Sequence, residues 1–270
     1  MPDNLITFTP AAYQYPLLIK HLLHYPLVHA PDQEIVYRDL RRHTYREFRE
    51  RIGRLASGLS EIGVRPGDVV AVLDWDSDRY HECYFAVPMM GAVLQTVNLS
   101  LAPEQLLYIL NDARPSTLLV NADFLPLVEK LADKLPSVRR YVLMHDGKQR
   151  PSTRIPIECE YEEMLEASSP FFQFADFDEN TRATTFHTTG TTGHPKGVMR
   201  TQNFLLRQHS ALARLLHSDE FDGADLCPFA NFALANLASG RCSLFVPDRW
   251  EARFFRKLED LPKELLPQTL

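Results

Sequence analysis

Between residues 69 and 73 the chain reads Val69-Val70-Ala71-Val72-Leu73. It is a continuous apolar run of strand length. No polar residue in it can turn toward water, so both of its faces are expected to be buried, as in a parallel sheet covered by helices. Upstream, Thr44 to Ile62 reads as an amphipathic helix. Thr44 and Glu47 make a T-x-x-E capping box, Phe48, Ile52, Leu55, Leu59 and Ile62 form one apolar stripe, and Gly63 ends it. Arg65-Pro66-Gly67-Asp68 is the turn into the strand. Downstream the alternation repeats. Helices are expected over Tyr80 to Met90, Glu104 to Ala113 (opened by Pro103) and Phe124 to Leu135. Strands are expected over Ala92 to Val97, Thr117 to Val120 and Tyr141 to Met144. Strands alternating with helices through short connections imply a doubly wound, mostly parallel α/β sheet.

The polar stretch Ser168 to Arg182, with its acidic residues Asp176, Asp178 and Glu179, reads as a connection. It suggests a first α/β subdomain over residues 1–175. Residues 176–270 would then hold a loop segment and the start of a second subdomain. Asn203 to His217 has helical spacing of Phe204, Leu205, Leu212, Leu215 and Leu216. Leu244-Phe245-Val246 is a short strand candidate, and Glu251 to Leu270 is charged and mostly helical in pattern.

Composition narrows the function. The 270 residues are 45% hydrophobic and 24% charged, which supplies a core and excludes a disordered chain. A net charge of -6 argues against a general nucleic-acid binder. Cys83, Cys159, Cys227 and Cys242 show no C-x-x-C spacing, so they read as thiols of a reducing compartment, and the start lacks a signal peptide. The uncharged stretch Cys83 to Pro103 is broken by Pro88, Gly91, Gln95 and Asn98, so a buried helix and strand fit it better than a membrane span. A cytoplasmic protein with no transmembrane segment is expected.

The chemistry concentrates in Thr188-Thr189-Gly190-Thr191-Thr192-Gly193-His194-Pro195-Lys196-Gly197-Val198. Glycines let backbone N–H groups approach an anion closely, hydroxyls add donors, and a lysine supplies a point charge for phosphate oxygens. A Walker A loop would need Ser or Thr after the lysine, where Gly197 stands. The G-x-G-x-x-G dinucleotide pattern is also absent. A generic P-loop NTPase is therefore disfavoured.

This motif resembles the phosphate-loop signature of the adenylate-forming superfamily, which includes acyl-CoA synthetases, luciferases and peptide-synthetase adenylation domains. Thr44-Tyr45-Arg46-Glu47-Phe48, the strand entry at Gly67-Asp68-Val69-Val70-Ala71-Val72, and the run from Gly91 to Asn98 are similar to further stretches of that family, nearest to its medium- and long-chain fatty-acyl-CoA ligases. The resemblance implies the α/β fold of the family's N-terminal domain, incomplete, with the small C-terminal domain and its catalytic lysine absent. It implies ATP, magnesium, coenzyme A and a carboxylic acid, with a fatty acid the expected one, as reactants. Thr188 would contact phosphate and the metal; Thr189, Gly190, Thr191, Thr192 and Gly193 would wrap the β- and γ-phosphates; Lys196, followed by Gly197, would pair with the terminal phosphates. No residue is assigned a catalytic role.

The family's downstream ribose-binding aspartate is absent as well, and the chain departs from the family in two further places. It has no Y-G-x-T-E motif, and it reads Cys227-Pro228-Phe229-Ala230-Asn231-Phe232 where an aromatic followed by His is usual. A truncated, non-catalytic homologue acting as a binding module, or without function, is therefore the alternative. An incomplete sheet is expected to expose Leu234, Leu237, Leu244, Phe245 and Val246, leading to self-association or docking of a complementary downstream chain.

Blander readings go to the remaining groups. His21 and His24 share a helix face. His194 is solvated. Asp74, Asp76 and Asp78 make a solvated strand-end loop, lacking the Gly and Glu of a calcium loop. Phe171-Phe172 and Phe254-Phe255 belong to the core.

Overall fold

The computed structural model describes residues 9, 11–12, 15–38, 40–188, 195–215, 224–227 and 229–245. Its strands are β1 Glu34–Tyr37, β2 Arg41–Thr44, β3 Val69–Leu73, β4 Val93–Thr96, β5 Thr117–Asn121, β6 Arg140–Met144, β7 Ile157–Glu160, β8 Arg182–Thr188, β9 Lys196–Thr201, β10 Ala224–Cys227 and β11 Cys242–Phe245. Its helices are α1 His24–His29, α2 Tyr45–Glu61, α3 Asp78–Met89, α4 Pro103–Ala113, α5 Leu125–Leu131, α6 Tyr161–Ala167, α7 Gln202–Leu215 and α8 Ala233–Ser239.

The larger sheet runs β7-β6-β5-β3-β4-β8-β9, parallel except for β9, which returns antiparallel to β8. The doubly wound α/β reading holds. β3 is buried along its whole length. The capping box of α2 is formed: Thr44 Oγ1 accepts from the Glu47 N–H at 3.2 Å, and Glu47 Oε2 accepts from the Thr44 N–H at 2.7 Å. Phe48, Ile52, Leu55 and Leu59 of its stripe are fully buried.

The expected helix over residues 124–135 is instead a short α5 flanked by 3₁₀ turns, the first started by Asn121 Oδ1 accepting from the Asp123 N–H at 3.1 Å. The buried face of α7 also differs from its expected apolar spacing. Gln202, Leu205, His209 and Ala213 point inward, while Phe204 and Leu215 are exposed.

The second sheet, β10-β11-β1-β2, is formed by residues from both ends of the described chain. β1 pairs parallel with β11, Ile35 opposite Ser243 and Val36 opposite Leu244, and antiparallel with β2. Strands β8 and β9, beyond residue 175, lie in the larger sheet, and β11 lies beside β1, so neither sheet ends at that position. This pairing overturns the expected apolar edge. Leu234, Leu237, Leu244 and Phe245 are all buried, because β11 is covered on both sides by β1 and β10 and α8 packs into the same core. Val246, Phe254, Phe255 and the rest of residues 246–270 lie outside the described residues. Phe171, expected in the core, is 90% exposed, and Phe172 packs partly buried against it.

The aspartate loop is a second correction. Asp74 and Asp78 are buried, not solvated. Asp74 accepts from Ser77 Oγ and, at 2.8 Å, from Asn121 Nδ2. This network fills the crevice between β3 and β5, where the chain switches direction across the sheet and where open α/β sheets commonly take ligands. Asp78 belongs to a buried ionic cluster joining β2, α2, α3 and α6. Arg41 pairs with Asp78 at 2.8 Å and Asp146 at 2.6 Å; Arg51 pairs with Glu82 at 2.5 Å and Glu162 at 2.9 Å; Arg79 pairs with Glu162 at 2.7 Å. Tyr161 donates to Glu82 Oε2 at 2.7 Å. Burial alone would raise the Asp78 carboxyl, but Arg41's hydrogen bonds and charge hold it far below the usual carboxylate range.

No helix among the described residues is long and apolar enough to cross a membrane. The four cysteines are free; Cys83, Cys227 and Cys242 are buried, Cys159 half-buried.

Candidate functional site

The hairpin β8–β9 carries the Thr/Gly motif. Its last pair sets Thr188 opposite Lys196, so two ends of the motif meet at one point of the sheet. Thr188 and Lys196 are both exposed there, and Thr188 Oγ1 lies 3.5 Å from the Lys196 carbonyl oxygen. Of the sequence-derived site residues, the structure thus brings Thr188, Lys196 and Gly197 together. Thr189, Gly190, Thr191, Thr192, Gly193 and also His194 lie outside the described residues. Pro195 is buried beside α4.

Beneath this root sits a group that the motif did not reveal. His187 is fully enclosed; its Nε2 lies 2.9 Å from Asp112 Oδ2 on α4, and its Nδ1 lies 3.2 Å from Gln95 Nε2 on β4. With the Gln95 amide donating to Nδ1, the imidazole N–H on Nε2 points at the carboxylate. Gly197 is paired with His187 across the hairpin, and a Cβ at that position would stand 3.3 Å from His187 Nε2 and 3.4 Å from Asp112 Oδ2. The glycine therefore serves close approach of β9 to this pair, not a special backbone angle. The signal in the sequence was the alternation of β8 itself, which turns His187 to the face opposite Phe186.

The joint after β9 is equally fixed. Gln202, fully buried at the start of α7, donates to the Pro88 carbonyl at 2.8 Å and accepts from the Ile19 N–H at 3.2 Å. Asn203 donates to Glu179 at 2.9 Å. Both ends of the hairpin are thus tied to packed elements, the arrangement that holds a loop-borne site in position.

Beside the hairpin, at the carboxyl ends of β3, β4 and the base of β8, lies a cavity of about 520 Å³. Its wall includes Trp75, Asp76, Tyr80, Tyr84, Arg200 and Phe229. Asp76 has a left-handed backbone, φ 53°, which Asp tolerates better than most residues. Its Oδ1 accepts from the Ala230 N–H at 2.9 Å. Burial pushes its carboxyl up to about 7, the Ala230 N–H opposing and the Asp74 charge adding. The Arg200 guanidinium lies 4.5 Å from the Phe186 ring centre and 5.5 Å from that of Phe204. Neighbouring His81 and His209 are buried, their ring nitrogens without a geometric hydrogen-bond partner among the described residues, and burial lowers their imidazoles to about 3 and about 4, the Ala230 backbone opposing at His81.

His43, Asp78 and Glu82 converge closely enough to suggest a cation site, but Arg41 and Arg51 already neutralise both carboxylates. They hold the fold.

A family model described as AMP-binding enzyme matches residues 27–238. The chain is 37% identical over 188 residues to the 3-methylmercaptopropionyl-CoA ligase of Ruegeria lacuscaerulensis, covering 68% of this chain and 35% of that protein. It is 38% identical over 189 residues to the long-chain-fatty-acid–CoA ligase of Thermus thermophilus, covering 70% of this chain and 33% of that one. ATP-bound MatB from Rhodopseudomonas palustris shares the fold with a TM-score of 0.70 at 22% identity, over 88% of this chain and 46% of that chain. The chain spans about a third of the length of the two ligases it matches in sequence.

Proposed function

Because the chain belongs to the AMP-binding enzyme family, we propose that it takes part in ATP-dependent activation of a carboxylic acid. A carboxylate oxygen bonds to the α-phosphorus of ATP as the bond to pyrophosphate breaks, giving acyl-AMP. The sulfur of coenzyme A then bonds to the acyl carbon as AMP leaves. The reaction would take place in the cytoplasm. The single observation that carries this reading is the hairpin root, where Thr188 and Lys196 stand side by side at the base of the Thr/Gly motif.

Negative charge accumulates on pyrophosphate as it leaves, and donors already fixed at that position stabilise it without reorganising. Lys196 supplies an exposed ammonium for the terminal phosphates. Thr189, Gly190, Thr191, Thr192 and Gly193 supply backbone N–H groups and hydroxyls around them. The Thr188 hydroxyl suits a hard, oxygen-seeking cation, since it is exposed and its one contact among the described residues is to the Lys196 carbonyl at 3.5 Å. Thr188 would hold magnesium, which offsets phosphate charge when bound. His187, Asp112 and Gln95 are positioning residues: they set the end of β8 from beneath.

The test is calorimetry of magnesium-ATP binding to the 270-residue chain and to Lys196→Ala. Losing a charged phosphate contact should weaken binding by about 1.5–3 kcal/mol. Equal affinity in the two proteins overturns the assignment. Pyrophosphate release and acyl-CoA formation, assayed across short, medium, long and aromatic acids, address the non-catalytic alternative. The sequence contains no Y-G-x-T-E motif, so nucleotide binding without robust turnover is the expected outcome.

A further inference from the structure

Two polar groups of the cavity beside the hairpin keep bonding capacity that no described residue uses. Among the described residues, Asp76 Oδ2 has no hydrogen-bond partner, its sister oxygen being held by the Ala230 N–H at 2.9 Å. Arg200 has no ion-pair partner among them either; its contacts are the faces of Phe186 and Phe204. Tyr84 lies within the field of both. Burial raises its hydroxyl, with the Asp76 charge adding and the Arg200 charge opposing. The wall between them is aromatic, from Trp75, Tyr80, Tyr84 and Phe229. The cavity therefore has a cationic pole on β9, an acceptor pole at the end of β3, and an apolar middle.

We propose that this cavity receives the acid and selects a short carboxylic acid whose far end bears a hydrogen-bond donor, a hydroxyl or an amino group. Its carboxylate faces Arg200 on the side of the β8–β9 hairpin, its methylene chain lies along the aromatic wall, and its terminal O–H or N–H is accepted by Asp76 Oδ2. An unsubstituted alkyl tail would strip water from Asp76 and return no hydrogen bond. Sites built to bond a substrate's hydroxyl or amine reject the analogue lacking it for that reason. The partly protonated state of Asp76 near neutral pH suits both donors, because the neutral acid still accepts through its carbonyl oxygen and the carboxylate pairs with an ammonium. The Ala230 N–H and the left-handed backbone fix the carboxyl in place before ligand arrives, which reduces the ordering cost of binding.

This inference rests on the acid-activation reading, and its test is kept separate from ATP. Hexanoate, 6-hydroxyhexanoate and 6-aminohexanoate, matched in length, are titrated into the 270-residue chain by calorimetry, with saturation-transfer NMR to locate the contact. The two donor-bearing acids should bind at least about tenfold more tightly than hexanoate, the discrimination expected of one charge-assisted hydrogen bond. Asp76→Asn preserves shape and tolerates the same backbone, and should weaken 6-aminohexanoate about tenfold while leaving hexanoate unchanged. Arg200→Gln should weaken all three acids alike. Melting curves establish that each variant is folded. The proposal is overturned if hexanoate binds as well as the substituted acids, if Asp76→Asn leaves the advantage of 6-aminohexanoate over hexanoate intact, or if none of the acids binds. Loss of magnesium-ATP binding alone would overturn the nucleotide assignment and leave this ranking standing.

Discussion

The buried ionic cluster and the cavity beside the hairpin both border the N-terminal half of α3, and they treat charge differently. In the cluster, Arg41, Arg51 and Arg79 meet Asp78, Glu82, Asp146 and Glu162 at hydrogen-bond distance, and the buried Tyr161 phenol donates into it. In the cavity, among the described residues, Asp76 keeps an open oxygen and Arg200 meets aromatic rings. A compensated network locks elements together and leaves nothing to bind with. Groups left without partners cost stability, and a fold keeps them where a ligand can complete them. The contrast also explains why the His43–Asp78–Glu82 convergence is structural although its atoms are close enough for a metal.

The contrast breaks most visibly at Arg51, which holds both Glu82 and Glu162. Arg51→Met should cost about 3–5 kcal/mol, because it strands a carboxylate that is fully buried. Urea unfolding measures it; a change below about 1 kcal/mol would mean that the cluster is not what joins α2, α3 and α6.

Acid should act next. His81 and His209 fold with imidazoles near 3 and 4, lowered from 6.5 by burial, so the unfolded chain takes up protons that the folded chain refuses. Their contribution is complete above about 6.5 and is lost as the pH falls toward 4. Asp76 runs the other way: its carboxyl is raised to about 7, so the folded chain takes up that proton first and gains stability between about 7 and 4. Two groups against one leave a net loss of a few kcal/mol, at about 1.4 kcal/mol per pH unit per proton. Denaturant midpoints at pH 7 and 4.5 read it directly. Asp76→Asn should steepen the loss, and His209→Gln should flatten it; the reverse order would contradict these protonation states.

Two smaller effects test the root of the hairpin. Gly197→Ala should destabilise by about 1 kcal/mol, the low end for overpacking, because the half-exposed Asp112 carboxylate can yield to the new methyl group. Asp112→Asn should cost less than about 1 kcal/mol, since the amide oxygen still accepts from His187. Thermal melts separate them, and a larger loss for Asp112→Asn would mean that the charge itself holds His187.

Local signals accounted for most of the larger sheet. The Thr44–Glu47 box, the stripe of α2 and the apolar runs of β3 to β6 each depend on neighbours a few residues away, so their pattern is written where they fold. The Thr/Gly motif is equally local, since backbone approach to phosphate needs particular residues at consecutive positions. β1 and β2 carried no such signal: Arg41, Arg42 and His43 look polar until Asp78 and Asp146 arrive from elsewhere to meet Arg41. The same limit hid the surroundings of His187, whose partners come from β4 and α4.

The helix caps, the apolar periods and the phosphate-loop motif stand in the amino-acid order alone, because each is closed within one or two turns of chain. Burial of Leu234, Leu237, Leu244 and Phe245 does not, because it depends on β11 finding β1 from the far side of the described chain. Nor do the opposite fates of Asp76 and Asp78, two residues apart at the end of one strand. Asp78 meets Arg41 from β2, while Asp76 is turned by its left-handed backbone toward the Ala230 N–H and an open cavity. Which carboxylate is neutralised and which is left to bind is set by what the fold brings to each, and charge compensation acts through space over a few ångströms regardless of separation along the chain.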